Sequence, residues 1–437
     1  MLYGERGQLG RKWLLIAALA TSLGPPAAGA AADPDPLAAR VEQLVAEVAQ
    51  LRAELAALRG ARTPVVQPTA PAASAVPTAS ATPVASSPPA ASGPDWFGYG
   101  ELDYGKPRDG VATADLARFV LGASVRLDER TRLVSELEIE HAISSADDAG
   151  EVEVEQAYVE RSYGEHVYAR AGLLLVPLGL LNENHEPTHY YGVRRNGVET
   201  AIIPSTWREG AIALQGRSDG GWRWDLGIGT GFDLSRWDAT GSEGRESPLG
   251  SIHQELSLAR AADLSGFLAL NYTGLPGLRL GGGFFGGGVG QSQPGLGSAS
   301  LALWEVHATA SVGGWDLAGL YARGHLSGTR ALNAALPGAA TPVPEEFRGG
   351  YVQAAWQNLP LGNGQWVPFV RHERYNTGAR YVTLTTAPAL QRLPWTAGWI
   401  GGLDWKAAPG LVLKADYARY TSGALPDRYD LGIGYAF

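Results

Sequence analysis

From residue 95 onward, apolar and polar side chains alternate at period two in one segment after another. Phe119, Leu121, Ala123, Val125 and Leu127 share one phase, with Arg118, Gly122, Ser124 and Arg126 in the other. Leu133, Leu137 and Ile139 oppose Arg132, Glu136 and Glu138. Val167, Ala169, Ala171, Leu173 and Leu175 oppose His166, Tyr168, Arg170 and Gly172. Trp222, Trp224, Leu226 and Ile228 oppose Arg223, Asp225, Gly227 and Gly229, and Leu411, Leu413, Ala415 and Tyr417 oppose Val412, Lys414 and Asp416. A strand sends successive side chains to opposite faces, so each segment predicts a strand with one apolar and one polar face. Across 153–159 the phase slips, as it would at a bulge. The chain ends on a strand in which Tyr429, Leu431, Ile433, Tyr435 and Phe437 alternate with Asp430, Gly432, Gly434 and Ala436.

About sixteen such segments fit residues 95–437, and at about ten residues per strand plus a turn and a loop the length allows 14 to 18 strands. So large a continuous apolar face exceeds what one soluble core buries. A lipid exterior and an aqueous lumen satisfy both faces at once. The prediction is an all-β fold: a transmembrane antiparallel β-barrel of about 16 strands.

Three different segments precede it. Arg6, Arg11 and Lys12, an apolar stretch from Trp13 to Leu23, and the small residues 27–32 have the order of a secretory signal, giving a signal peptide over 1–32. Residues 33–60 predict a coiled-coil helix: Val41, Val48 and Leu55 at a, and Leu37, Leu44, Leu51 and Leu58 at d. Val41, Leu44, Val48, Leu51, Leu55 and Leu58 are thus the candidate oligomerisation residues. Residues 61–94 are nearly all Ala, Pro, Ser, Thr and Val, a linker that at ~3.1 Å per residue reaches on the order of 100 Å.

Composition narrows the classes. The 437 residues contain no cysteine, which excludes disulfides and thiol chemistry. No apolar run is long enough for a spanning helix. A net charge of −9 argues against nucleic acid. His185-Glu186-Pro187-Thr188-His189 spells the H-E-x-x-H string of zinc peptidases, but that chemistry needs both histidines on one helix face, and Pro187 breaks a helix. No enzyme activity, resident metal or cofactor is expected.

The stretch 172–210 resembles the phosphate-selective porin O and P family of bacterial outer membranes. The likeness is carried by Leu175-Val176-Pro177-Leu178-Gly179, by Asn182-Glu183-Asn184-His185-Glu186-Pro187 and by Ile203-Pro204-Ser205-Thr206-Trp207-Arg208-Glu209-Gly210. Glu155-Gln156-Ala157-Tyr158-Val159-Glu160 and Pro368-Phe369-Val370-Arg371-His372-Glu373-Arg374-Tyr375 add to it. The resemblance implies a sixteen-stranded trimeric porin whose pore is narrowed by an inward loop. The candidate loop is 181–207, with Asn182, Glu183, His185, Glu186, His189, Tyr190 and Glu199 as constriction residues. The candidate pore and anion-binding residues are Arg118, Arg126, Arg170, Arg194, Arg195, Arg208, Arg223, Arg371 and Lys414. Guanidinium groups suit oxyanions through forked, charge-assisted hydrogen bonds.

The same cations could instead be paired by Glu136, Glu138, Asp225, Glu373, Asp404 and Asp416. Of the 35 basic and 44 acidic side chains, 7 and 6 precede residue 95, leaving the barrel with 28 against 38. The expected function is therefore an outer-membrane channel for small hydrophilic solutes, phosphate or other anions among them. Its partners would be outer-membrane lipid, further copies of itself and small anionic solutes, with the N-terminal helix in the periplasm. The alternative is a structural tether between the outer membrane and the periplasm or cell wall, acting through the coiled coil.

Overall fold

The structure is a computed structural model that describes residue 50 and residues 93–437, apart from 146–147, 385–388 and 424. The signal segment, the heptad residues Val41 to Leu58 and nearly all of the linker lie outside the described residues. Residues 95–436 hold every strand described below.

Sixteen strands follow one another along the chain. They are β1 (Asp95–Pro107), β2 (Thr113–Arg126), β3 (Thr131–Glu140), β4 (Val152–Ser162), β5 (Val167–Leu175), β6 (Arg208–Arg217), β7 (Trp222–Gly229) and β8 (Ser265–Tyr272). The second half comprises β9 (Leu278–Gly288), β10 (Ser300–Val312), β11 (Trp315–Ser327), β12 (Glu346–Trp356), β13 (Gln365–Arg380), β14 (Thr396–Ala408), β15 (Leu411–Ser422) and β16 (Arg428–Ala436). Each pairs antiparallel with its sequence neighbours, and β1 pairs with β16 from Tyr99↔Ala436 to Pro107↔Arg428, closing the barrel. Closure leaves no sheet edge, as a structure in hydrocarbon requires.

The terminal aromatic strand thus seals the ring, and its last residue continues the ladder, with the Phe437 amide donating to the Gly98 carbonyl and the Gly98 amide to that of Phe437. The phase slip is real. Glu136 faces Gln156 but Leu137 faces Val154, so Glu155 is the extra residue of a bulge.

The two ends of the barrel differ. At the end where β1 begins, connections are short. Gly313 and Gly314, both with positive φ, make the two-residue turn between β10 and β11. The other end carries the long connections 176–207, 230–264, 289–299, 328–345 and 381–395. The outer face is apolar, with Ile212, Leu226, Ile228, Leu268, Val306 and Leu431 exposed.

Cross-strand aromatic pairs ring this face at both ends. Trp222–Tyr272, Trp315–Trp356 and Trp366–Trp405 lie near the short turns, with centroids 4.8, 5.0 and 5.1 Å apart. Trp304–Tyr321, His372–Trp399 and Tyr417–Tyr429 lie toward the long loops. Amphipathic rings collect at the two water–lipid boundaries.

Candidate functional site: the lumen and its inward loop

The connection 176–207 turns into the barrel. Asn182 builds its neck: Nδ2 donates to the carbonyls of Val176 and Trp207, and Oδ1 accepts from the Trp207 amide. His185, buried, meets Glu155 through Nε2 at 2.6 Å and the Asn182 carbonyl through Nδ1. The bulge supplies that partner, because Glu155 is the residue it adds. Glu199 organises the loop from within, accepting from the amides of Leu180 and Leu181, from Asn196 and from the Tyr351 hydroxyl.

The loop tip reaches the opposite wall. The Gly192 and Val193 amides donate to Asp404 and Asp416, at 3.3 and 2.6 Å. Lys414 Nζ donates to the carbonyls of Tyr190 and Gly192, at 2.9 and 2.8 Å. Arg371 donates to those of Tyr191 and Arg194. The Gly197 amide donates to Glu373. Tyr190 donates to Glu101 and Tyr191 to Asp316, and burial together with these carboxylates holds both phenols well above their ordinary pKa, as neutral donors. Wall charges thus meet many of the polar groups of the tip, as a segment buried inside a barrel requires.

A second set of loops fills the other half of the mouth with apolar side chains. Trp207 packs on Phe285 and Phe232, with centroids 4.5 and 5.1 Å apart, and Phe232 on Phe285 at 5.6 Å. Leu234, Leu249, Ile252, Val343 and Phe347 join this fully buried cluster. The Trp237 indole donates to the Thr341 carbonyl, tying 230–264 to 328–345. Two cavities flank the loop tip. One of 750 Å³ lies toward the long loops, between β1, β2 and the loop, and holds Arg118, Arg194 and Arg195 with Glu101, Asp103 and Asp115. One of 340 Å³ lies toward the short turns and holds Arg279, His189, Asp316 and Gln353. Tyr190 lines both.

The expected cations take different places. Arg118 is in the lumen but bound by Glu101 and Glu138, each at 3.4 Å. Arg170 pairs with Glu160 at 2.7 Å and covers the Tyr158 ring. Arg223 pairs with Glu183 and Asp225. Arg126 lies at the short-turn end of β2, opposite Arg132. Arg194 bridges Asp103 and Asp430 with its guanidinium half exposed.

Arg195 has no carboxylate partner among the described residues. It donates to Ser205, Thr206 and the His185 carbonyl. Arg371 and Lys414 are buried and hold the loop. Arg208 lies on the outer face, in phase with Ile212, and is buried between Glu153 and Glu255. The cations lining the two cavities come from the loop, Arg194 and Arg195, and from the wall, Arg118, Arg279 and Arg371.

The loop begins at 176, not 181, because the neck is closed by Asn182 against Val176. Glu186 and His189 meet each other at the tip side, 3.5 Å apart. His185 is buried and His189 half exposed, in a segment with no helix, so the H-E-x-x-H pair shares no face. Among the described residues no three His, Asp or Glu side chains are placed to hold a metal.

Sequence reasoning missed Arg279 of β9, which bonds Asn271 Oδ1 at 2.9 Å and has no carboxylate partner among the described residues. Its alternation with Leu278 and Leu280 was a signal, blurred by the glycines that follow.

No family model matches this sequence. A protein of Aquifex aeolicus (strain VF5), described as uncharacterized, is 28% identical over 354 residues, covering 78% of this chain and 79% of that one. Among solved structures, OmpF of Salmonella typhi superposes with a TM-score of 0.55 at 13% identity, covering 79% of this chain and 97% of its own. A loop-deletion mutant of OmpT, an outer membrane protein of Vibrio cholerae, gives 0.50 at 12%, covering 79% and 99%. The chain has the fold of bacterial outer-membrane porins.

Proposed function

We propose that this protein is an outer-membrane porin, a water-filled channel for passive diffusion of small hydrophilic solutes, preferring phosphate or related anions. The observation that carries the reading is the loop 176–207, which crosses the lumen and is bound to the far wall, with a cavity on each side. A structural plug would need no such paired vestibules. The anion preference rests on Arg195 and Arg279, lumen cations that have no carboxylate partner among the described residues, and on the half-exposed Arg194. Binding there is weak, because a solute held tightly does not leave. Association into trimers in the outer membrane completes the proposal.

The test is reversal potential and conductance of the purified protein in planar bilayers under a chloride gradient, with phosphate added. Anion selectivity and a chloride current reduced by phosphate are expected. Cation selectivity without block would remove the anion preference and leave a general porin. Absence of conductance would sink the channel itself.

A further inference from the structure

The upper outer wall from β11 to β15 carries a group of arginines that the channel does not use. Arg323 and Arg348 are directly opposite each other on β11 and β12, on the outer face, since the next pair, Gly324 and Phe347, points into the barrel. Arg374 of β13 shares this face, as does Arg419 of β15, which stands opposite the exposed Trp399. Arg380 closes the group at the end of β13.

Their partners are few. Glu346, buried beneath them, meets Arg323 at 2.6 Å, Arg348 at 3.3 Å and Arg380 at 4.0 Å, and Glu345 meets Arg380 at 3.5 Å. Arg374 and Arg419 have no carboxylate partner among the described residues. Five guanidiniums therefore share two carboxylates.

Trp395 is wedged between two of them, its ring 4.4 Å from Arg374 Cζ and 5.4 Å from Arg348 Cζ. The indole fixes both planes, and Arg348 Nε is buried with no hydrogen-bond partner. The level is equally specific. Arg323 and Arg374 lie two residues beyond Tyr321 and His372, members of the aromatic row toward the long loops. At ~3.3 Å per residue this places them just outside the hydrocarbon, at headgroup depth.

At headgroup depth an exposed arginine costs little and meets the anionic groups of the lipids. A guanidinium set without enough carboxylates, at headgroup depth and beside apolar strands, fits a phosphate group attached to acyl chains. We propose that this face binds a phosphorylated lipid headgroup of the outer leaflet, with the phosphate on Arg348 and Arg374 and the acyl chains along β12 to β14. The proposal rests only on the outer-membrane placement in the reading above, not on conduction.

The full-length protein in detergent would be titrated with hexa-acyl bisphosphoryl lipid A, phosphatidylethanolamine and inorganic phosphate, with bound lipid counted by native mass spectrometry. Bisphosphoryl lipid A should bind about tenfold more tightly to the wild type than to the R348Q/R374Q double variant, the loss expected for charge-assisted, forked hydrogen bonds. R374K, which keeps the charge and loses the fork, should fall between. If the double variant does not fold, R419Q, at an exposed and unpaired position, carries the test with a smaller loss.

Equal affinity of wild type and variants would overturn the proposal, as would equal affinity for phosphatidylethanolamine. Inorganic phosphate binding as tightly, and lost with the same substitutions, would make this a free-anion site. A change in oligomeric mass in the variants would make it a protein interface. Lipid binding by a protein that fails to conduct would retain this inference while the channel reading fell.

Discussion

Lys414 holds Tyr190 twice: its Nζ donates to the Tyr190 carbonyl at 2.9 Å and sits 3.8 Å from the centroid of the same ring. The two residues come from β15 and from the loop between β5 and β6, so one ammonium ties the loop to the wall across the barrel. Asp404 and Asp416 flank it and take the neighbouring amides. Removing the ammonium by Lys414→Met would leave two carbonyls unpaired and two buried carboxylates uncompensated. Breaking a buried charge network from one side costs ~3–5 kcal/mol. Single-channel recordings should show a larger, noisier conductance, and the barrel should lose its heat-resistant mobility on gels at a lower temperature. A quiet current of wild-type size would mean that Lys414 is not the latch.

Arg195 and Arg194 are adjacent but electrostatically unlike. Arg194 is ion-paired with Asp103 and Asp430, whereas Arg195 makes its hydrogen bonds to hydroxyls and a carbonyl and has no ion pair among the described residues. Arg195→Gln should therefore move the reversal potential toward cations more than Arg194→Gln does. A larger shift from Arg194→Gln would show that the ion pairs open in the conducting state.

The legibility of the chain followed the length scale of each interaction. Alternation of Leu133, Leu137 and Ile139 with Glu136 and Glu138 is local, so strands, strand number and lumen phase were readable. The slip at 153–159 was readable too, because a bulge changes the local period. The partners of Lys414 and Arg371 were not. Both stood in lumen phase and counted as pore cations, yet what they bind are carbonyls about two hundred residues away. The apolar cap was hidden for the same reason: Phe232, Phe285 and Trp207 lie in three separate segments, and none forms a periodic pattern. Arg208 misled because it follows the loop directly, while its phase with Ile212 puts it outside.

Trp207 closes both the loop neck and the cap. Its amide bonds Asn182, its indole donates to Glu209, and its ring contacts Phe232 and Phe285. Trp207→Ala removes a fully buried ring, at a cost of ~3–5 kcal/mol. The denaturant midpoint of the refolded barrel should drop, and the conductance should rise as the sealed half of the mouth admits water. Destabilisation without a conductance change would show that the rest of the cap excludes water unaided.

Leu226 and Gln215 test which solvent each face meets. Leu226 points outward on β7, half exposed and opposite Leu214. Gln215 points inward on β6 and bonds Asp225 at 2.7 Å. Arginine on a lipid face near the bilayer midplane costs ~2–4 kcal/mol, while a lumen position is wet and tolerates the charge. Leu226→Arg should therefore reduce the folded fraction in phospholipid vesicles. Gln215→Arg, beside the carboxylate of Asp225, should fold at nearly wild-type yield. The opposite ranking would place water outside the barrel, and the transmembrane assignment of its outer face would fall.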